Sequence, residues 1–295
     1  MPTLKANGLE LFYDTFGSPD DQPLVLIMGV GAQMVLWREG FCEALAERGH
    51  YVIRFDNRDI GLSEHLDHLK SPSINKAIAR SLLGLDVDAP YTFSDMGRDV
   101  VGLLDALDLP RAHICGASMG GMIAQTVALE HPERCASLIS IMSNTGEMLH
   151  RIGRPKAMLA LLRKVPPSRE AVADNMVRFA HAAKGPRYPV DIQEARRLGG
   201  FLFDRSFHPA GFKRHMLAIL AAKPRTRALR TLRVPTQVIH GTHDPIVRPV
   251  GGKTTARSIP GAELVWIKGM GHRLPEGAWP ELGDTIARHT RRHAV

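Results

Sequence analysis

Apolar positions along this chain first fall into short runs closed by Gly, Pro or Asp. "PLVLIMG" (Pro23 to Gly29) and "YVIRFD" (Tyr51 to Asp56) are β-rich and nearly free of charge, as strands buried on both faces are. "LELFYDTFG" alternates enough for a strand on a partly exposed sheet. Between the two buried runs, "LWREGFCEALAERGH" carries the helical period. Phe41, Leu45 and Ala46 share one face and Gly49 serves as the stop. The alternation then repeats. "SDMGRDVVGLLDALDLP" reads as a helix with Ser94 as its N-cap, "AHICGAS" as a strand, "MGGMIAQTVALEHPE" as a helix and "CASLISIMS" as the next strand. Strand and helix alternating at this length predict a mostly parallel, doubly wound α/β sheet with helices on both faces.

The rhythm changes after Ser143. Four helical stretches follow: "RPKAMLALLRKV", "SREAVADNMVRFAHAA", "VDIQEARRLGGFLFDRS" and "GFKRHMLAILAA". Their separators carry Pro or Gly. Strand patterns return with "VPTQVIHGTHDPIV" and "AELVWIKGMGH", and "WPELGDTIARHTRRH" closes the chain as a helix. The expected organisation is a core of residues 1–144 and 231–295, with residues 145–230 inserted as a helical cap.

Charge marks the same boundary. The net charge is +8, but residues 146–233 hold 19 Lys and Arg against 6 Asp and Glu. The rest of the chain is therefore net acidic. A solvated basic helical surface is the plainer explanation, and attraction of anionic substrates is the sharper one. No nucleic-acid-binding motif accompanies the charge, so no nucleic-acid partner is expected.

Composition excludes further classes. With 295 residues, 27 Gly and 20 Pro, the chain is an ordinary globular one. No signal-peptide pattern opens it, and no run approaches the ~18 apolar residues of a membrane span. Three cysteines without metal-ligand spacing read as small buried apolar residues in a reducing compartment. A cytoplasmic protein, monomer or homodimer, with no stable membrane insertion is expected.

In an open parallel sheet, ligand sites form beyond the C-terminal strand ends. After "HICGA" comes Gly116-Ala117-Ser118-Met119-Gly120, a G-x-S-x-G nucleophile elbow between a strand and a helix. A sharp turn there lifts the serine hydroxyl above the sheet. The helix directs its positive end at it. Such a serine needs a base and an orienting acid. His272 follows the last strand and Asp244 the one before it, in the chain order Ser118, Asp244, His272. His243, adjacent to Asp244, is a weaker base, and Glu147 is a competing acid. Oxyanion donors are expected from the backbone N–H groups of Met119, after the nucleophile, and Val30, in "MGVGAQ". Met28, Met34, Trp37 and Met122 lie near these positions and are candidates for an apolar pocket.

With "LIMGVG", "FDNRDIGLS", "ICGASMGG", "GTHDPIV" and "GMGH" in place, the chain resembles the α/β-hydrolase family. It is most similar to aclacinomycin methylesterase and related carboxylesterases. The resemblance implies an eight-stranded α/β-hydrolase fold with a helical cap. It places Asp56, Arg58 and Ser63 in a structural turn. Met28 stands where many members have His. The implied activity is hydrolysis of a methyl or short alkyl ester of a fairly apolar small molecule, with no metal or organic cofactor. Haloalkane dehalogenases and soluble epoxide hydrolases share the fold but carry Asp at the elbow. A cofactor-free haloperoxidase or perhydrolase, a carbon–carbon bond hydrolase and a non-catalytic ligand receptor remain as alternatives.

Overall fold

The computed structural model describes residues 2–150 and 153–295. Eight strands form one sheet: β1 (Thr3–Ala6), β2 (Leu9–Phe16), β3 (Gln22–Ile27), β4 (His50–Phe55), β5 (Ala112–Ala117), β6 (Cys135–Ile141), β7 (Thr236–Gly241) and β8 (Glu263–Ile267). Their spatial order is β1-β2-β4-β3-β5-β6-β7-β8. The β1–β2 and β2–β4 pairs are antiparallel; every later pair is parallel. Strands β5, β6 and β7 are buried along their whole length, as their apolar runs require, while the edge strand β8 is half exposed.

The pleat sends alternate residues into two cores. Val25, Ile27, Ile53 and Ile114 pack under one layer of helices, and Leu24, Leu26, Val52 and Cys115 under the other. The chain supplies α1 (Glu39–Ala46), α2 (Ile74–Leu82), α3 (Phe93–Ala106) and α4 (Met119–Glu130) between strands up to β6. After β7 come α10 (Pro249–Ser258) and α11 (Trp279–Arg291). Helices α3 and α4 pack together on one face, and α1 and α11 on the other. The expected N-cap of α3, Ser94, is displaced by Thr92. The Thr92 hydroxyl accepts from Asp95 N while the Asp95 carboxylate accepts from Thr92 N, a reciprocal capping box that Ser94 cannot make from inside the helix. Helices α2 and α10 are additional to the elements expected from the sequence.

The helical insertion lies between β6 and β7: α5 (Pro155–Leu161), α6 (Arg169–Ala183), α7 (Ile192–Arg205) and α8 (Pro209–Ala221), followed by the short α9 (Thr226–Leu229). Part of its basic excess is not solvated. Arg205 pairs with Asp56 at 2.7 Å and Arg214 with Asp59 at 2.6 Å, and all four side chains are buried. The "FDNRDIGLS" turn is therefore both scaffold and docking point. Asp56 also accepts from Met34 N, and the Ser63 hydroxyl donates to the Asp56 carbonyl at 2.6 Å. Arg58 is held by Asp99.

The three cysteines are buried and unpaired. Burial pushes the Cys42 and Cys135 thiols up to about 12, so they stay protonated. No helix among the described residues is long and apolar enough to cross a membrane.

Candidate active site

Ser118 sits at φ 57°, ψ −119°, in a region that non-glycine residues rarely occupy. The surrounding packing holds it there. Ser118 N donates to the Ile141 carbonyl at 2.9 Å, and the Ser143 hydroxyl donates to the Ser118 carbonyl at 2.7 Å. The elbow glycines answer to close approach rather than to flexibility. A Cβ on Gly116 would lie 2.1 Å from the Gly120 carbonyl oxygen, and one on Gly120 would lie 2.0 Å from that of Ile27. Only glycine lets α4 start this close to β5 and β3.

The loops after β5, β7 and β8 bring the three expected residues together. His272 Nε2 lies 3.0 Å from Ser118 Oγ, and His272 Nδ1 lies 2.7 Å from Asp244 Oδ2. The other Asp244 oxygen accepts from the backbone N–H groups of Ile246 and Val247 at 2.8 and 2.9 Å. Those two amides fix the carboxylate plane and leave one oxygen for the histidine. Asp244 and His272 are buried, at 3% and 8% exposure. His240, 3.6 Å from the same carboxylate, has its imidazole pushed below its ordinary value by burial. It is a neutral neighbour rather than a second cation. The competing candidates are engaged elsewhere. Glu147 accepts from the Thr226 hydroxyl at 2.5 Å, and His243 Nδ1 meets the Thr242 hydroxyl at 2.9 Å on the surface.

The glycines flanking His272 suggest a mobile loop in sequence. In the fold they mark where the insertion presses on it. A Cβ on Gly271 would lie 2.2 Å from the Ala183 carbonyl oxygen, at the end of α6. That same carbonyl accepts from His272 N at 2.7 Å.

The Gly29–Val30 loop lies across the cleft. A Cβ on Gly29 would come within 3.2 Å of the Ser118 Cβ, so the bare backbone reaches the serine. Among the described residues neither the Val30 nor the Met119 amide has a protein acceptor. Both remain available to a ligand oxygen, with the N-terminus of α4 behind them. The next amide, Gly31 N, donates to His215 Nδ1 of α8 at 3.2 Å. His215 Nε2 lies 2.9 Å from the Arg58 carbonyl, which fixes Nε2 as donor and Nδ1 as acceptor. His215, unmarked in the sequence, thus fastens the loop from the insertion side.

Above Ser118 is a cavity of about 480 Å³. Its floor includes Met28, Val30 and Ser118, and its roof Leu161, Phe179 and Tyr188. Of the four expected pocket residues only Met28 lines it. Trp37 is fully buried and stacks on Phe41 with ring centroids 5.9 Å apart. Met34 is fully buried beneath its own loop, and Met122 packs in the core beside α3. Met34 and Trp37 lie near the oxyanion loop in sequence and Met122 near the elbow, but each side chain faces the core. The roof residues were missed because helical period identifies an apolar face without saying what it covers. Arg38 and Arg273 also line the cavity.

Residues 22–276 match the model of a family described as alpha/beta hydrolase fold, and the chain belongs to that family. A rhodomycin D methylesterase of Streptomyces peucetius is 28% identical over 319 residues, covering 100% of both chains. A 3-oxoadipate enol-lactonase of Acinetobacter baylyi is 25% identical, over 87% of this chain and 84% of that one. Among solved structures, a meta-cleavage product hydrolase from Pseudomonas fluorescens superposes with a TM-score of 0.78 at 20% identity, covering 99% of this chain and 98% of the other.

Proposed function

We propose that this member of the α/β-hydrolase family is a serine carboxylic-ester hydrolase acting on methyl, short-chain or aryl esters of a fairly apolar small molecule. The observation that carries the reading is the continuous Asp244–His272–Ser118 hydrogen-bond chain ending at the floor of an apolar cavity. The full-length likeness to a methylesterase supports the ester over other acyl substrates.

In this reading His272 Nε2 takes the Ser118 proton as Oγ attacks the ester carbonyl. Asp244 holds the Nδ1–H tautomer and stabilises the imidazolium. The amides of Val30 and Met119 receive the developing oxyanion. The alcohol leaves with the proton from His272. A water activated by the same nitrogen then attacks the acyl-enzyme and releases the acid. Residues 145–230 act as a cap that supplies most of the apolar roof and keeps bulk water off the acyl-enzyme.

Ser118→Ala tests this with p-nitrophenyl butyrate. A loss of about 10⁴-fold or more in kcat, with an unchanged melting temperature, is expected. Activity near wild type sinks the assignment. Peroxide and bromide added to the wild-type assay separate the other readings. Peracid or brominated product in excess of free acid replaces the esterase reading with a perhydrolase one.

A further inference from the structure

Four buried arginine side chains in this molecule come with carboxylates, and a fifth, Arg225, donates to Gln125 Oε1 and the Asn144 carbonyl. Arg54 meets Asp14 at 2.7 Å, Arg58 meets Asp99 at 2.5 Å, and Arg205 and Arg214 meet Asp56 and Asp59. Desolvating a guanidinium is costly unless a charged acceptor compensates. Among the described residues two arginines line the cavity, and they differ on this point. Arg38 is paired with Glu194 at 2.6 Å. Arg273, next in sequence to His272, is half-buried. Among the described residues it has no carboxylate within 4.0 Å and no hydrogen-bond acceptor.

The other acids of the cavity are committed or distant. Asp191 caps α7, accepting from Glu194 N at 3.0 Å. Glu194 serves Arg38 and Arg197. Glu276 lies on an exposed turn beyond ion-pairing reach of Arg273. Burial pushes the Arg273 guanidinium below its ordinary value, and no acid opposes that push.

We infer that Arg273 is an anion subsite of this cavity, and that the natural ester carries a second, carboxylate group on its acyl chain. The inference rests on the esterase reading for its reaction and on the Arg273 environment for its substrate class. A guanidinium fork takes a carboxylate through two parallel N–H···O bonds, and the apolar walls strengthen the contact. Arg273 follows His272 directly in the chain and lines the same cavity as Ser118. The reaction is hydrolysis of a half-ester. The acyl C–O bond breaks, the water oxygen joins the acyl carbon, and the alcohol and a dicarboxylate leave with release of one proton.

The test compares mono-p-nitrophenyl glutarate with neutral p-nitrophenyl valerate, each corrected for spontaneous hydrolysis. Wild type is expected to favour the anionic ester by about 10- to 100-fold in kcat/KM, mostly through KM, the range of a charge-assisted hydrogen bond. In Arg273→Gln the ratio of the two falls toward one. Arg273→Lys keeps part of the preference, since the charge remains and the fork is lost. A ratio unchanged in Arg273→Gln, including an equal loss on both esters, overturns the subsite. A wild-type preference for the neutral ester overturns it as well.

Calorimetry on Ser118→Ala with monomethyl and dimethyl glutarate removes turnover from the question. Half-ester binding that disappears when Arg273→Gln is added supports the subsite even if no ester is hydrolysed, in which case the esterase reading alone fails. Ester turnover without any discrimination by charge, in rate or in binding, defeats the subsite and leaves the esterase standing.

Discussion

The two ends of the helical insertion are fastened to the sheet by different physics. At one end, the C-terminus of α7 and the whole of α8 are bound through buried polar groups. Arg205 and Arg214 reach Asp56 and Asp59, the Gln33 amide donates to the Leu202 and Ser206 carbonyls at 2.8 and 2.9 Å, and His215 holds Gly31. At the other end, α5, α6 and the first turn of α7 cover the cavity with apolar side chains such as Leu161, Met176 and Phe179. Its polar ties include a few backbone hydrogen bonds, such as Arg154 N to the Pro245 carbonyl and His272 N to that of Ala183, and the exposed or partly exposed pairs Arg187–Glu281 and Arg38–Glu194. One end is locked by charge that is costly to uncover. The other closes over the site by contacts that a ligand can replace.

Even within the locked end, the two carboxylates differ. Burial raises Asp56 above the usual carboxylate range, and Arg205 offsets only part of it. Burial also works to raise Asp59, but hydrogen bonds from Arg214 and from Leu66 N outweigh it and hold the group below its ordinary value. Asp59–Arg214 is therefore the stronger clamp and the place to break the contrast. Arg214→Met leaves the Asp59 charge buried and uncompensated. It is expected to cost about 3–5 kcal/mol, seen as a fall of roughly 10 °C in melting temperature. Adding Asp59→Asn recovers part of the loss, because the amide drops the charge and keeps an oxygen for Leu66 N. Urea denaturation of the two variants checks this. A double variant no more stable than the single one would refute the charge argument.

Much of this molecule was legible in its residues, and the legible part is the sheet. Ser118, Asp244 and His272 each follow a strand whose apolar run is unmistakable, so topology alone placed their loops at one edge. The docking of the insertion was hidden. Asp56 and Asp59 read as structural acids, and nothing in "FLFDRS" or "FKRHML" says that Arg205 and Arg214 cross to them. Ion pairs between distant segments have no period. The same blindness explains Met34, Trp37 and Met122. Sequence proximity to the oxyanion loop and the elbow says nothing of which side of the backbone a side chain takes. It explains Arg273 too, since a cation is marked by its type while its lack of a partner appears only in three dimensions.

A smaller effect is expected from pH, again at the locked end. Burial lowers His215 from an ordinary 6.5 to about 4, with Asp59, Arg58 and Arg214 around it. Between those two values the unfolded chain binds a proton that the folded chain refuses, so stability falls as pH falls through that window. Below it the ring protonates in place, and Nδ1 can no longer accept from Gly31 N. Melting temperature followed from pH 7 to 4.5 should therefore decline, and His215→Gln should decline less steeply from a lower start. Some slope persists in the variant, because burial lowers His113 to about 3 and His289 to about 4 as well. Parallel slopes in the two proteins would show that His215 contributes none of it.

The smallest effect belongs to the other end. Arg38 and Glu194 are 28% and 32% exposed, so water screens the pair and the side chains lose entropy in forming it. Arg38→Ala is expected to cost under about 1 kcal/mol, a shift of no more than roughly 3 °C in melting temperature. The same pair spans the cavity from the loop before α1 to α7, so its loss should register in substrate binding before it registers in folding. A change of about twofold in KM for p-nitrophenyl butyrate, with kcat little altered, corresponds to the roughly 0.4 kcal/mol that such a pair supplies. The comparison turns on the ratio of the two arginines. If Arg38→Ala destabilises the protein as much as Arg214→Met, both ends of the insertion are clamps, and the cavity opens by some route other than the parting of α6 and α7 from the loops beneath them.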